Sequence, residues 1–288
     1  MKIDFMADVN AFCSDLLAAN GIKLKHQDDP LLDLYIYSRR AVNPVPRVIY
    51  KASDFSCPED YREKLKHVEN AIKRGDNLWP FMTRSLFDCS RDEAMLYHWN
   101  IVHLHVSNEM DVVKKDGFMR RSGLLLYVYF TDNAAYFIRT IPHSGVANMW
   151  SLQDCLECIN QNWPGLIKGL ELKGAVNNTV LTDNDVATLR KNNVNSLVTL
   201  PNGKVIVPLG LGVVSEGSPL DCVRARDMYA ERIKAAEDYV KDNLADIFRD
   251  KGITENIDDV ECHVSQCFDD RIEVFVNSNI KLNIRLYE

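Results

Sequence analysis

The sequence predicts an α+β protein. It has a helical amino-terminal layer, a central antiparallel sheet with a packed helix, and a carboxy-terminal α+β unit with one long helix. Three observations predict this class. Apolar residues recur at helical spacing through most of residues 1–98, and they recur with a period of two from residue 99. Near the end of the chain, one long helical pattern precedes three alternating segments. We therefore predict three regions, 1–98, 99–165 and 166–288, with the candidate site in the second.

Composition limits the classes of protein that fit this chain. Of its 288 residues, 46% are apolar and 26% are charged, which is typical of a folded globular protein with room for more than one core. The net charge of −7 repels polyanions and disfavours a general nucleic-acid coat protein, while leaving room for a local basic groove. No run approaches the roughly 18 apolar residues of a membrane span. The amino terminus has no apolar run of signal-peptide length. We predict a cytoplasmic protein with no membrane partner.

Two amphipathic helices and one short helix are predicted in the amino-terminal region. Residues 5–20 have an apolar stripe at helical spacing, and the glycine that follows supplies the stop. The stripe consists of Phe5, Val9, Phe12, Leu16 and Leu17. A proline-rich loop leads to a second helix over residues 58–75. This helix begins at a proline and, like the first, ends at a glycine. Ser90 and Glu93 have capping-box spacing, which predicts a short helix over residues 91–97.

The central region reads as an antiparallel sheet. From Trp99 onward the alternation predicts a strand in which His103 and His105 point to one face. Residues 123–130 and 135–143 are apolar runs separated by the turn sequence TDNA, which predicts a hairpin. On its second strand, the residues predicted to share one side are Phe137, Arg139, Ile141 and His143. A helix then runs to Trp163, and the pair Ser151 and Asp154 is expected to cap it.

The last region combines a short hairpin, a glycine loop and a long helix. Thr182 and Asp185 have the spacing of a capping box. The turn sequence at 201–203 joins two apolar strands, and a loop at 210–217 contains three glycines. Ser218 with Asp221 is expected to cap a helix of about thirty residues. The alternating segments that follow are residues 260–264, 271–276 and 280–286, which predict an antiparallel meander.

The histidine strand and the hairpin supply a candidate active site. Cleavage of RNA by its own 2′-hydroxyl needs a general base, a general acid and fixed cations at the phosphate, and histidine and arginine provide all three without metal. We expect His103 or His105 as base, His143 as acid, and Arg139 with Arg120 as the phosphate contacts. Arg121 enters from the same loop as Arg120. This hypothesis needs no cofactor and no metal, and RNA is the expected partner.

Other interpretations of the same residues stay open. The two strand histidines can be core residues bonded to the backbone, and Arg139 can belong to a surface salt bridge. Three histidines could also bind zinc, although no acidic residue stands at a suitable position as partner base. The eight cysteines, including Cys155 and Cys158 in a CxxC, sit in apolar surroundings typical of reduced core thiols. The loop 210–217 precedes a helix and has flexible glycines and free amides, as in anion sites, but lacks the P-loop lysine.

Four segments carry a resemblance to known proteins: YHWNIVHLHVS, RRSGLLLYVYF, YFIRTIPH and LECINQNWP. Their order resembles that in a family of uncharacterised bacterial proteins, over most of the chain, and implies no settled activity. The layout of the central region is similar to that of RelE and barnase-like ribonucleases. That resemblance implies metal-independent RNA cleavage by a toxin or phage-defence effector. Its site would consist of His103, His105, Arg120, Arg139 and His143. The chain departs from that group in its size, its acidic balance and its long region after Pro164.

Two functional hypotheses follow. The first is a metal-independent endoribonuclease, acting as a bacterial toxin or phage-defence effector. The second is a non-enzymatic binding or sensing module for a protein partner, or for a small anion or nucleotide at the loop 210–217. A neutralising protein or a second copy of the chain is the further partner to expect. Geometry discriminates the two: an enzyme requires the imidazoles and guanidinium groups to line one open cleft, whereas burial or pairing of each group favours a binding module.

Overall fold

The computed structural model describes residues 2–175, 179–254, 260–267, 271–277 and 280–285. The chain forms two compact units, one of residues 36–221 and one of residues 1–35 with 222–288. Helices and sheets occur in both, which confirms the predicted α+β class. The three predicted regions stay a prediction about the chain: 1–98, 99–165 and 166–288. Each compact unit contains residues from more than one of these regions.

The described chain contains the following helices and strands. The helices are α1 (Phe5–Ala19), α2 (Pro30–Arg40), α3 (Arg62–Arg74), α4 (Ala94–Trp99), α5 (Asp154–Asn162), α6 (Asp183–Lys191) and α7 (Leu220–Lys251). The strands are β1 (Lys2–Ile3), β2 (Val48–Lys51), β3 (Ile101–His105), β4 (Leu124–Phe130), β5 (Ala134–Pro142), β6 (Val198–Thr199), β7 (Val205–Ile206), β8 (Glu261–Cys267), β9 (Arg271–Val276) and β10 (Ile280–Arg285). Short 3₁₀ turns connect several of them.

The unit of residues 1–35 and 222–288 is built on the sheet β1-β8-β9-β10. Strands β8, β9 and β10 are antiparallel neighbours, as the meander predicts, and β1 adds a parallel edge. The predicted stripe of α1 is partly wrong. Phe5, Val9 and Leu17 are buried together with Cys13, whereas Phe12 is 65% exposed and Leu16 is 38% exposed. Cys13 lies one turn after Val9 and one turn before Leu17, so it continues the buried face.

The unit of residues 36–221 is built on the sheet β2-β5-β4-β3. The antiparallel pairs β3–β4 and β4–β5 confirm the predicted central sheet, and β2 is a parallel edge strand that the sequence analysis missed. Both faces are covered. The core on one face includes Ile101, Leu125, Tyr127 and Ile141 with Cys155, Leu156 and Ile159 of α5. The core on the other includes Val102, Leu104, Leu126 and Val128 with Leu65, Val68 and Ile72 of α3.

A β-bulge in β5 changes which residues share a face. Tyr127 lies opposite Arg139 and Val128 lies opposite Phe137, so Ile138 is the extra residue. The expectation that Phe137 and Arg139 share a side is therefore wrong. Phe137 packs in the core on the α3 side, while Ile138 belongs to the core on the α5 side. The bulge leaves Arg139 in register with the histidine strand through Tyr127.

Some predicted helix caps are present and others are not. The capping box of Thr182 and Asp185 at α6 is confirmed in both directions. Helix α4 instead begins after Glu93, and the Ser90 hydroxyl donates to Asp88. Ser151 does not cap α5, because its hydroxyl donates to the carbonyl groups of Asn148 and Asp183. The longest helix, α7, has 32 residues, close to the predicted thirty.

Of the cysteines whose side chains are described, seven in number, none forms a disulfide and six are buried. The side chain of Cys267 lies outside the described part of the chain. Burial raises the pKa of the Cys158 thiol to about 11 and that of Cys155 beyond its ordinary range. These thiols therefore stay protonated and unreactive at neutral pH. Across the described ranges, no helix is long and apolar enough to cross a membrane.

Candidate functional site

The fold brings three of the predicted site residues together. The His103 ring centroid lies 6.2 Å from that of His105, which in turn lies 5.3 Å from that of His143 in a stacked arrangement. The two strand histidines share a face because they are two residues apart in β3. His143 follows β5, where its amide donates to the carbonyl of Gly123 at 2.9 Å. We call His103, His105 and His143 the imidazole cluster.

The imidazole cluster is largely closed to solvent. His105 is 3% exposed, and its Nδ1 has no hydrogen-bond partner within the described chain. Burial, helped by the neighbouring His103, Arg121 and His143, lowers the pKa of His105 to about 3. Burial also lowers the pKa of His103, although the Glu93 carboxylate, 3.8 Å from Nδ1, opposes that shift. Both strand imidazoles are therefore neutral at pH 7, and a base with a pKa of about 3 is weak.

The two predicted phosphate-binding arginines have other partners. Arg139 donates to Asp154 Oδ2 at 2.6 Å. In the sheet, Tyr127 of β4 pairs with His103 of β3 on one side and with Arg139 of β5 on the other. Arg120 is exposed and pairs with Glu109 at 3.4 Å. The structure therefore brings the three histidines together but does not direct either arginine to them.

A second site lies in the same unit, at a cavity of about 230 Å³. Its lining comes from α4, α6, the segment before α5 and the loop 210–217. Among the residues that line it are Asp92, His98, Trp150, Arg190, Lys191 and Gly217. We call it the Arg190 cavity.

Arg190 is held in a way that leaves one edge of its guanidinium group unused. It is 9% exposed, its Nη1 donates to the Trp150 carbonyl, and the group lies 3.8 Å from the centroid of the Trp99 ring. Its Nε and Nη2 are buried and have no hydrogen-bond partner among the described residues. Burial lowers the pKa of Arg190 to about 9, and the charge of the Asp183 carboxylate partly opposes this shift. The group is thus a buried cation at neutral pH with two donors unsatisfied.

The glycine loop forms a wall of the Arg190 cavity, and the amides of its three glycines are not free. The Gly210 amide donates to the carbonyl of His98 and the Gly212 amide to that of Tyr97, each at 2.9 Å. The amides of Leu211, Val213, Val214 and Gly217 also donate to acceptors in the protein. The glycines serve close packing instead, since a Cβ at Gly210 would lie 2.4 Å from two backbone carbonyl oxygens of α4. An anion at this place would find these loop amides already engaged.

His98 lines the Arg190 cavity beside the guanidinium group. It is 4% exposed, and burial together with the charge of Arg190 lowers its pKa to about 3. A neutral imidazole offers one donor and one acceptor. The cavity therefore combines a strong cationic donor with a neutral polar group and, at Asp92, a carboxylate.

Arg190 was not among the predicted site residues, although the sequence contains a signal for it. Arg190 stands four residues after Val186, which is the buried apolar residue of α6. A charged residue on the buried stripe of an amphipathic helix is rare unless it is paired or binds a ligand. Asp92 could not have been found in this way, because only the tertiary structure places it at the same cavity.

Comparison of the chain with protein-family models, with curated proteins and with solved structures finds no match. In the described residues, no group of three or more histidine, cysteine, aspartate or glutamate side chains is placed to hold a metal ion. Function must therefore be inferred from the two sites themselves.

Proposed function

We propose that the protein is a binding or sensing module that holds a small anion in the Arg190 cavity. One observation carries this proposal: a guanidinium group that is about nine-tenths buried lines a cavity with two donors unpartnered. Buried charges in proteins are normally paired, because an unpaired buried charge costs several kcal/mol. A bound anion supplies the missing partner, and this explains why the fold keeps a cation there.

The free donors match a particular kind of ligand group. Nε–H and one Nη2–H of arginine point in parallel from the same edge of the guanidinium plane. Two oxygens of a carboxylate or a phosphate accept from such an edge simultaneously, with short charge-assisted hydrogen bonds. The stacking on Trp99 and the bond to the Trp150 carbonyl fix the orientation of this edge before any ligand arrives. Such preorganisation reduces the entropy cost of binding.

Binding of small oxoanions to the purified protein tests the proposal. We expect acetate, L-amino acids, inorganic phosphate or adenosine monophosphate, screened separately, to include at least one compound that raises the melting temperature of the wild type. The same compound should leave Arg190→Met unchanged, because methionine fills similar space without donors. Arg62→Met, at an exposed position outside the cavity, is the matched control and should respond like the wild type. If none of these compounds stabilises the wild type, the proposal is wrong.

A metal-independent endoribonuclease is the second candidate, and the imidazole cluster is the observation that favours it. His143 is half-buried, and the side chain of His103 is 13% exposed. The Trp150 ring packs against His103. His143 and His103 would act as acid and base once RNA displaces the segment around Trp150. Glu93 is the group that would orient His103, and Arg121 is the cation that would contact the phosphate. RNA is the substrate under this proposal.

Induced expression in a bacterial host tests the second candidate. Wild type and Arg190→Met should both arrest growth and degrade total RNA if the imidazole cluster is catalytic, while His103→Ala and His143→Ala should do neither. Intact RNA and normal growth with soluble wild-type protein would remove this candidate and leave the anion-binding module.

A further inference from the structure

We propose that the ligand of the Arg190 cavity is a free α-amino acid, with its carboxylate on Arg190 and its ammonium group on Asp92. This inference rests on the proposed function, because it names the ligand class of the same site. Four features of the cavity carry it: its size, its single carboxylate, the engagement of the glycine amides of its loop within the protein, and its apolar wall.

The size of the cavity favours a small ligand. Pockets for drug-sized molecules usually measure roughly 300–1,000 Å³. The Arg190 cavity is smaller, at about 230 Å³. A nucleotide, with its base, sugar and phosphate, is larger than an amino acid, so the smaller ligand suits this volume better.

The local charges favour a carboxylate over a phosphate. Phosphate sites usually rely on backbone amides at a helix amino terminus or a glycine loop. Here the amides of Gly210, Gly212 and Gly217 already donate within the protein. Arg190 stands in the last turn of α6, where the backbone carbonyl groups carry negative partial charge. Such a place tolerates one negative charge on the ligand better than two.

Asp92 provides the second contact. Of the described residues that line the cavity, it is the one with a carboxylate. A carboxylate beside an anion site would repel a simple anion, so its presence calls for a ligand that also carries a positive group. An α-ammonium group close to a carboxylate has this charge pattern. Lys191 also lines the cavity, and its side chain, like that of Asp92, is exposed to water, which weakens the influence of both charges.

The rest of the cavity suits an amino-acid side chain. Trp150, Ala187 and Val213 contribute to the wall, and the Trp150 side chain is partly exposed where the cavity meets solvent. Apolar atoms of a bound side chain would remove part of this surface from water. The wall therefore favours amino acids with an aliphatic or aromatic side chain over glycine.

Calorimetric titration of the full-length protein tests the inference. The standard L-amino acids are screened first. Leucine is then compared with isocaproate, which lacks the amino group, and with isoamylamine, which lacks the carboxylate; phenylalanine is compared with its corresponding acid and amine. We expect at least one of the two amino acids to bind at least tenfold more tightly than its deaminated acid. The amines should not bind measurably, and inorganic phosphate and adenosine monophosphate should bind more weakly than the amino acid.

Variants separate the two contacts. Asp92→Asn should lower the affinity for the amino acid by roughly tenfold to a hundredfold. The affinity for the deaminated acid should stay the same or increase. Arg190→Met should abolish binding of both. Asp60→Asn, which changes an exposed carboxylate away from the cavity, is the matched control and should bind like the wild type.

The outcomes distinguish this inference from the proposed function. If a deaminated acid or phosphate binds through Arg190 as tightly as any amino acid, or if Asp92→Asn has no effect, the amino-acid inference is wrong while anion binding stands. If no compound binds in an Arg190-dependent way, both are wrong.

Discussion

Buried histidines in the unit of residues 36–221 have a consequence for its pH stability. Burial lowers the pKa of both His98 and His105 from 6.5 to about 3, so the folded state binds fewer protons than the unfolded state between these values. The free energy of unfolding is therefore highest above pH 6.5 and falls as the pH decreases towards 3, by up to about 1.4 kcal/mol per pH unit for each histidine.

Replacement of one of these histidines tests this linkage. His105→Leu should remove one histidine's share of the loss of stability between pH 6.5 and 4, because leucine has no proton to bind. Urea titrations followed by tryptophan fluorescence measure this, since all four tryptophans lie in residues 36–221. Lys114→Gln, at an exposed position, should keep the full pH dependence. An unchanged slope in His105→Leu would show that the folded protein binds protons at another group.

Gly210 is the residue at which backbone packing leaves least room. A Cβ there would lie 2.4 Å from the carbonyl oxygens of Leu96 and Tyr97, and backbone atoms cannot move aside as a flexible side chain can. Gly210→Ala should lower the free energy of unfolding by about 1–3 kcal/mol. Gly169→Ala, where an added Cβ meets nothing within 4 Å, is the control and should be nearly neutral. Equal effects of the two substitutions in urea titrations would contradict this.

At the scale of the element, the caps of α4 and α6 give a direct test. Thr182 accepts from the Asp185 amide and Asp185 accepts from the Thr182 amide, so Thr182→Ala removes half of a capping box. We expect a loss of about 1 kcal/mol in the free energy of unfolding. Ser90→Ala should cost less than about 0.5 kcal/mol, because Ser90 caps no helix. An effect of Ser90→Ala as large as that of Thr182→Ala in the same urea titrations would contradict this expectation.

Helices and strands were predictable where local patterns are strong. The alternation of β3, the hairpin β4–β5 and the capping box of α6 are all visible in the sequence and present in the structure. Helix α2 and strand β2 were missed, because both depend on tertiary packing more than on a local signal. The bulge at Ile138 was also missed, since one extra residue in a pairing leaves no mark on an otherwise regular apolar run.

At the scale of the whole molecule, the two compact units should respond differently to ligand. The Arg190 cavity lies wholly within residues 36–221. An anion that binds there should slow amide hydrogen exchange in α4, α6 and the loop 210–217, and should leave β8, β9 and β10 unchanged. Exchange measured by mass spectrometry with and without the tightest-binding compound provides the test, and Arg190→Met is the control that should show no protection. Equal protection of both units would place the ligand elsewhere.

The sequence by itself determined the α+β class, the apolar strands of the central sheet and the neighbouring positions of His103 and His105, because each follows from local periodicity and short-range spacing. Only the tertiary structure decided how these residues are used. It buried His105, paired Arg139 with Asp154, and placed Arg190 and Asp92 at one cavity from positions almost a hundred residues apart. Burial and long-range proximity depend on how distant segments pack, and those contacts set both the ionisation of a side chain and its freedom to bind a ligand.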